Sequence, residues 1–437
     1  MLKINKSAEC SKSELDLFYV PPTQTSIEEG ISDDIQPHSS FNTSDVIRFD
    51  IVGDSSHFLN LAETELHIVG YIKQKESELG IEPKTKLGPV NNFLHSLFSQ
   101  INISINNQNV ENTNSAYSFR SYLENLISFN RIEKTSSLAG DIFYKDEAGK
   151  FDNFTVEPTT TLNSLVTKNL YNRGFFERHE LTTSQKTIQL QVNHLMVNST
   201  TITLMLKKNS PKFYLMGDEP ADKKEYFFNY DDCFLRIRRQ VISPSVMVAI
   251  SKINEEFTFK YPIKRVVVRN FVIPESSVLV NIPKICEGIL PRRVVVGLLK
   301  TTAYDGRYKE NPFNFENLGI TSMSLKVNSK SLPNTNGLKF DFVKNLYLDG
   351  YKSLCKLSPD LDITYQEYKE GYTLFAFDLN PDVSSCEHFS SLQDGIIDLT
   401  FQKLEAHKVS YTCICYCEYD NIIELNKHRQ PSFDYII

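Results

Sequence analysis

Cys413, Cys415 and Cys417 occupy alternate positions near the end of the chain, a spacing that raises the question of a metal or redox centre. In an extended strand, side chains two apart lie about 6.5 to 7 Å from each other on one face. Thiolates sharing a zinc ion at about 2.3 Å must sit closer. The three read first as small apolar residues on a core face. Asp378 and Asp382 flank Asn380-Pro381, a separation that a paired-carboxylate glycosidase could use. Asn-Pro-Asp after an aromatic run is, however, a turn composition. None of the nine histidines has a second histidine two positions on, as a cupin-like metal site in a β barrel would want. No GxxxxGK, HExxH, GxSxG or CxxC pattern occurs, so the motifs with a strong mechanical rationale are missing. The expectation is a protein that is not an enzyme, with no cofactor, no metal and no small-molecule substrate.

The elements that would position any site are β-rich. Of 437 residues, 41% are hydrophobic and 23% charged, which suits a soluble globular chain of two to four domains. The most apolar run, Val294 to Leu299, is bracketed by Arg293 and Lys300 and is far short of the ~20 residues a bilayer requires. No secretory signal is read in Met1 to Ser7, so synthesis inside a cell with eight reduced cysteines is expected. Trp is absent, while 21 Tyr, 29 Phe and only 17 Gly argue for aromatic-lined sheets rather than glycine-rich phosphate loops.

Residues 1–45 carry neither period and are expected to form an extended arm. Period-2 alternation then marks strands at 46–51, 66–72, 101–105, 188–192, 202–206, 234–241, 263–272, 293–299, 322–327, 372–379, 396–401 and 410–419. Helices are few. Phe119, Tyr122, Leu123, Leu126 and Ile127 share one helical face within 115–130, and Thr364 with Glu367 forms a capping box that closes at Gly371. Short strands in both halves predict an all-β chain of two antiparallel sandwiches, 46–243 and 244–437, meeting near Val241 to Ser245. No residue-level repeat relates the halves.

Charge is uneven. Residues 1–45 hold three Lys against eight acids, or −5, whereas 233–300 holds twelve basic residues against four Glu, or +8, in a chain of net −7. The band reads, in decreasing weight, as a solvated or internally paired face, a protein interface, or a nucleic-acid contact.

Several segments resemble the double jelly-roll major capsid proteins of the polinton (Maverick) and adintovirus group. They are Leu17 to Ile27 (LFYVPPTQTSI), Gly88 to Gln100 (GPVNNFLHSLFSQ), Phe213 to Asp218 (FYLMGD), Lys260 to Val266 (KYPIKRV), Asn311 to Phe315 (NPFNF), Gly371 to Leu379 (GYTLFAFDL) and Tyr419 to Glu424 (YDNIIE). They run in order along nearly the whole chain, and only the tail from Arg429 to Ile437 finds no match. The resemblance implies a double jelly roll in which three chains form a pseudo-hexagonal capsomer of an icosahedral shell around double-stranded DNA. The implied location is the virion, after synthesis in the host cytoplasm. The implied partners are further copies of the chain, a minor capsid or penton protein of the same element, and packaged DNA through non-specific contact. From the charges comes a further expectation: Glu28, Glu29, Asp33 and Asp34 of the arm meet Arg236, Arg238, Arg265 and Arg269 of an adjacent subunit. Two alternatives are a host-captured capsid-derived protein that no longer forms particles, and a jelly-roll carbohydrate-binding protein, which the absence of Trp disfavours.

Overall fold

A computed structural model describes residues 12–15, 17–75, 87–154, 173, 180–186, 194–219, 225–358, 361–381 and 388–435. Its strands assemble into four main sheets. The first is ordered β1 (Ile27–Ile35), β10 (Tyr226–Ile242), β3 (His57–Gln74), β7 (Glu180–Lys186), and the second β2 (Val46–Ile51), β8 (Ile202–Lys208), β5 (Phe98–Ile105), β6 (Gln108–Asn112). In the second half, β11 (Phe259–Ile273), β19 (Tyr411–Leu425), β13 (Arg293–Lys300) and β17 (Leu374–Asp378) form the third sheet, with β20 (Pro431–Phe433) added to β19. The fourth is β12 (Leu279–Ile289), β18 (Asp394–Lys403), β14 (Ile320–Val327), β15 (Lys330–Leu332), with β16 (Leu338–Lys339) on β14. A separate ribbon pairs β4 (Leu87–Pro89) with β9 (Leu215–Gly217).

When the eight major strands of each half are counted in chain order, both halves give the same two sheets, 1-8-3-6 and 2-7-4-5. That connectivity is a jelly roll, and the chain contains two. The repeat absent at residue level is complete at the level of topology.

The first jelly roll begins earlier than the expected boundary at residue 46. Strand β1 lies inside the supposed arm, yet it pairs along its whole length with β10, from Ile27 opposite Ile242 to Ile35 opposite Leu235. Its sequence, IEEGISDDI, shows no alternation because β1 is an edge strand in which no residue is fully buried. Acidic residues and a glycine on an exposed edge also discourage unwanted strand addition.

Other expectations meet their elements. Ile47, Phe49 and Ile51 point into the core of β2, the helix expected in 115–130 spans Tyr117–Ser128, and Thr364 caps Tyr365–Tyr368 in a capping box. Strand 188–192 lies outside the described residues. Strand β10 ends at Ile242 and a helix, Pro244–Ile253, follows.

Strands β13 and β19 are buried on both faces. Register places Cys413, Cys415 and Cys417 with Leu298, Val296 and Val294 on one face, and Ile414 and Tyr416 with Gly297 and Val295 on the other. The cysteine face looks into the sandwich, where Cys417 meets Cys286 of β12. Over the opposite face, Phe315 stands against Gly297, where a Cβ would come within 2.6 Å of its ring. Phe315 also lies 6.3 Å from Tyr122, and Phe313 stacks on Tyr122 at 4.1 Å; Tyr122 belongs to the Tyr117–Ser128 helix of the first half. The near-continuous apolar run at 294–299 thus reports two-sided burial, since a strand with one wet face would alternate.

Residues 144–152, between the first-half helices and β7, reach into the second jelly roll. Lys145 donates to Glu367 at 2.9 Å, Tyr372 donates its hydroxyl proton to the Asp146 carbonyl at 2.6 Å, and Asp152 accepts from the Asn311 N–H at 2.7 Å. Gly371 has φ +99, and a Cβ there would drive into the Phe151 ring. Gly371→Ala combines backbone strain with overpacking and is expected to cost roughly 2 to 5 kcal/mol. It should lower the thermal midpoint by many degrees; a midpoint unchanged from wild type would contradict this seam.

Candidate functional site

The acidic and basic residues singled out by charge come together, but within one chain. Asp34 on β1 accepts a bidentate pair from Arg236 on β10, at 2.7 and 2.9 Å. Asp33 accepts from Arg239 Nε at 2.6 Å, and the same guanidinium reaches Asp54 at 3.3 Å and the Val52 carbonyl at 3.1 Å. Arg238 donates to Ser32 at 3.4 Å and lies over Gly30, where a Cβ would be 2.6 Å from Nη2. These contacts strap the edge strand to its neighbour. Glu28 and Glu29 stand on the same strand with exposed side chains.

Arg265 and Arg269 are on β11 of the second jelly roll. Arg265 is held between the rings of Tyr419 and Tyr435, at 4.7 and 4.5 Å, and donates to Asn421 at 3.0 Å. Arg269 is exposed and sits opposite Cys415 in the register. Much of the remaining basic band is paired internally: Arg292 with Asp420, Arg293 with Glu418 and Asp378, Lys300 with Glu316, and Lys284 with Glu287. Asp378 also accepts the Asn380 N–H at 3.0 Å, as a turn would have it, while Asp382 lies outside the described residues. Cys413, Cys415 and Cys417 are fully buried. Among the described residues no group of three or more His, Cys, Asp and Glu is placed to hold a metal, and no helix is long and apolar enough to cross a membrane.

The strap has an electrostatic signature. The Arg236 hydrogen bond holds the Asp34 carboxyl below its usual value. Burial alone would raise Asp54, but the N–H groups of His57 and Ser56 and their side chains outweigh it and hold Asp54 well below the carboxylate range. Depressed carboxylates contribute stability that is present above their unfolded pKa of about 3.9 and lost as pH falls through the folded value.

Two contact sets had no local sequence signal. Arg173 is buried between the two halves, donating to Asp146 at 2.5 Å and to the Tyr144 carbonyl at 2.9 Å. The unmatched tail is the other. Arg429 donates to the Asn198 carbonyl at 3.0 Å and to its side chain at 2.8 Å, and Tyr435 donates to the Val110 carbonyl at 3.0 Å. The tail therefore closes the second jelly roll against the first. Farther out, Leu17, Phe18, Tyr19 and Val20 project from the body, Phe18 being 96% exposed.

No protein-family model matches the chain. An uncharacterized protein of Caenorhabditis elegans is 24% identical over 442 residues, covering 96% of this chain and all of that protein. Among solved structures, a chain of the Sputnik virophage superposes with a TM-score of 0.62 at 12% identity, covering 99% of this chain and 94% of that one. The mavirus major capsid protein gives 0.56 at 12% identity, covering 99% and 96%. A chain of the PBCV-1 virus capsid gives 0.57 at 9%, covering 96% and 100%. The shared property is the fold. The likeness runs through one chain over nearly the full length of this protein and of those chains.

Asp33→Asn with Asp34→Asn should speed amide hydrogen exchange across 27–35 without unfolding the sandwich, and high salt should do so in part, because exposed ion pairs are screened. In the wild type, protection of β1 should hold from about pH 8 to 5 and fall below about pH 4, the sign required for lowered carboxylates. Exchange rates indifferent to both variants and acid would refute the strap.

Proposed function

We propose that this protein is a major capsid subunit, of the kind found in the polinton and adintovirus group, which trimerises into pseudo-hexagonal capsomers and builds an icosahedral shell around double-stranded DNA. The observation that carries the reading is the full-length double jelly roll, shared with capsid chains of Sputnik, mavirus and PBCV-1. Three further features support it. The two jelly rolls are fixed to each other by the 144–152 segment and the C-terminal tail, as a rigid tile requires. An apolar stretch at 17–20 projects free of the body, available to a neighbour. The second jelly roll presents edges at β11 and β12.

The charge contact between subunits belongs to this proposal in narrower form. Asp33, Asp34, Arg236 and Arg238 are engaged within the chain and Arg265 lies between tyrosines, which leaves Glu28 and Glu29 of one copy to meet Arg269 of another. Such pairs set register and encounter rate more than affinity. Contacts with a penton protein and with packaged DNA follow from the same reading.

One observation favours a second reading. The relative in a nematode, matched over its whole length, suits a capsid-derived protein retained in an animal genome that no longer forms particles.

Electron microscopy of the purified protein decides between them. A shell-forming subunit gives trimers of about 150 kDa, three times 50.2 kDa, and closed particles at low salt, whereas a retained copy gives trimers without shells. A strictly monomeric protein under all conditions overturns both. Removing residues 1–25, which spares β1, should leave trimers intact and abolish shells; normal shells from the truncated chain would rule out an assembly role for the arm.

A further inference from the structure

The sequence drew attention to Cys413, Cys415 and Cys417; the structure adds a fourth thiol from a different sheet. Cys286 on β12 and Cys417 on β19 are 131 residues apart in sequence, and their sulfurs are 3.3 Å apart in the interior of the second jelly roll. The two strands belong to facing sheets, so this contact crosses the sandwich. Tyr419 donates its hydroxyl proton to Cys286 Sγ at 3.4 Å. The pair sits just inside the edge formed by β11 and β12, each the outermost strand of its sheet, and β11 carries the exposed Arg269 there.

We propose that Cys286 and Cys417 are a redox site that a peroxide converts into a reversible disulfide stapling the two sheets of the second jelly roll together. Cys286 is the attacking sulfur. As a thiolate it accepts hydrogen bonds from the Cys417 thiol and the Tyr419 hydroxyl, which together with the Arg269 charge hold it down to about 7 despite burial. Cys417 is pushed the other way, chiefly by the hydrogen bond to Cys286 and by burial, and stays protonated until its turn. One thiol primed and its neighbour held in reserve is the division of labour that a dithiol site needs.

The step balances. The Cys286 thiolate attacks one oxygen of hydrogen peroxide, the O–O bond breaks and hydroxide leaves, taking up a proton to become water. Cys286 is then a sulfenic acid. Cys417 attacks that sulfur and releases hydroxide, which takes the Cys417 proton and departs as a second water. Two thiols and one peroxide become one disulfide and two waters, with sulfur oxidised and peroxide oxygen reduced. The sulfurs must close from 3.3 Å to a bond of about 2.05 Å. Near-complete burial of both thiols favours a small oxidant over a bulky disulfide. A thiol reductant reverses the bond. Cys413 and Cys415, whose sulfurs lean to 3.8 Å rather than keeping the roughly 6.5 to 7 Å of the strand repeat, are on a single strand, so a link between them would join no sheets.

The test uses the full-length protein, first fully reduced and then treated with hydrogen peroxide. Non-reducing peptide mapping should recover a Cys286–Cys417 crosslink within one chain. The thermal midpoint should rise by about 5 to 10 °C, return on adding dithiothreitol, and fail to rise in Cys286→Ser. The mapping needs no variant, so it stands even if Cys286→Ser folds poorly. Thiols that remain free at a peroxide dose that oxidises the partly exposed Cys355, or a crosslink that maps to Cys413–Cys415 or between chains, would overturn the proposal.

Discussion

The architecture depends on one constraint: β13 and β19 of the second jelly roll bury both faces. A sheet in an isolated jelly roll packs one face inward and wets the other. Here the outer face is covered by Phe313 and Phe315, and Tyr122 of the first half stacks on Phe313. Exposing that face would put Ile414, Tyr416, Val295 and Phe315 into water at about 25 cal/mol per Å² of apolar surface. The two jelly rolls therefore behave as one body. Everything else at the seam, including the buried Arg173 and Asp146 pair and the Gly371 contact with Phe151, fits around this apolar wall.

Polar contacts then fix what apolar burial leaves free. Hydrophobic surfaces tolerate sliding and hydrogen bonds do not. Asp152 with Asn311 and Lys145 with Glu367 set the lateral position of the two halves, while Arg429 and Asn198 hold the tail. The edge strap of Asp33 and Asp34 with Arg239 and Arg236 works at the other extreme, near the surface, where salt and acid loosen it. The contacts are therefore firmest at the centre of the molecule and most adjustable at its rim.

Much of the fold was legible because sheets advertise themselves through period 2. Ile47, Phe49 and Ile51 alternate with Arg48 and Asp50 on a face open to water, and Ile101, Ile103 and Ile105 alternate with Asn102 and Ser104, which are polar but largely covered. The helix at 117–128 showed through the 3.6-residue spacing of Phe119, Tyr122, Leu123 and Leu126, although it is buried on nearly every side. Legibility failed where that premise failed. Strand β1 has no buried face to imprint a pattern, so it looked like arm. The charge imbalance pointed to Asp33, Asp34 and Arg236, but charge says only that partners attract. Whether they belong to one chain or two is settled by the register of β1 on β10. Nothing near Cys286 in sequence marks it as the partner of Cys417.

By itself the sequence determined the all-β class, the two sandwiches, the main strands and the absence of familiar catalytic motifs, because these follow from local periodicity and short-range spacing. Tertiary structure alone decided that the first jelly roll starts at β1, that the acidic strap closes within the chain, that the tail clamps the halves and that Cys286 meets Cys417. Each of these joins residues more than a hundred positions apart, and a one-dimensional pattern does not specify which distant surfaces meet.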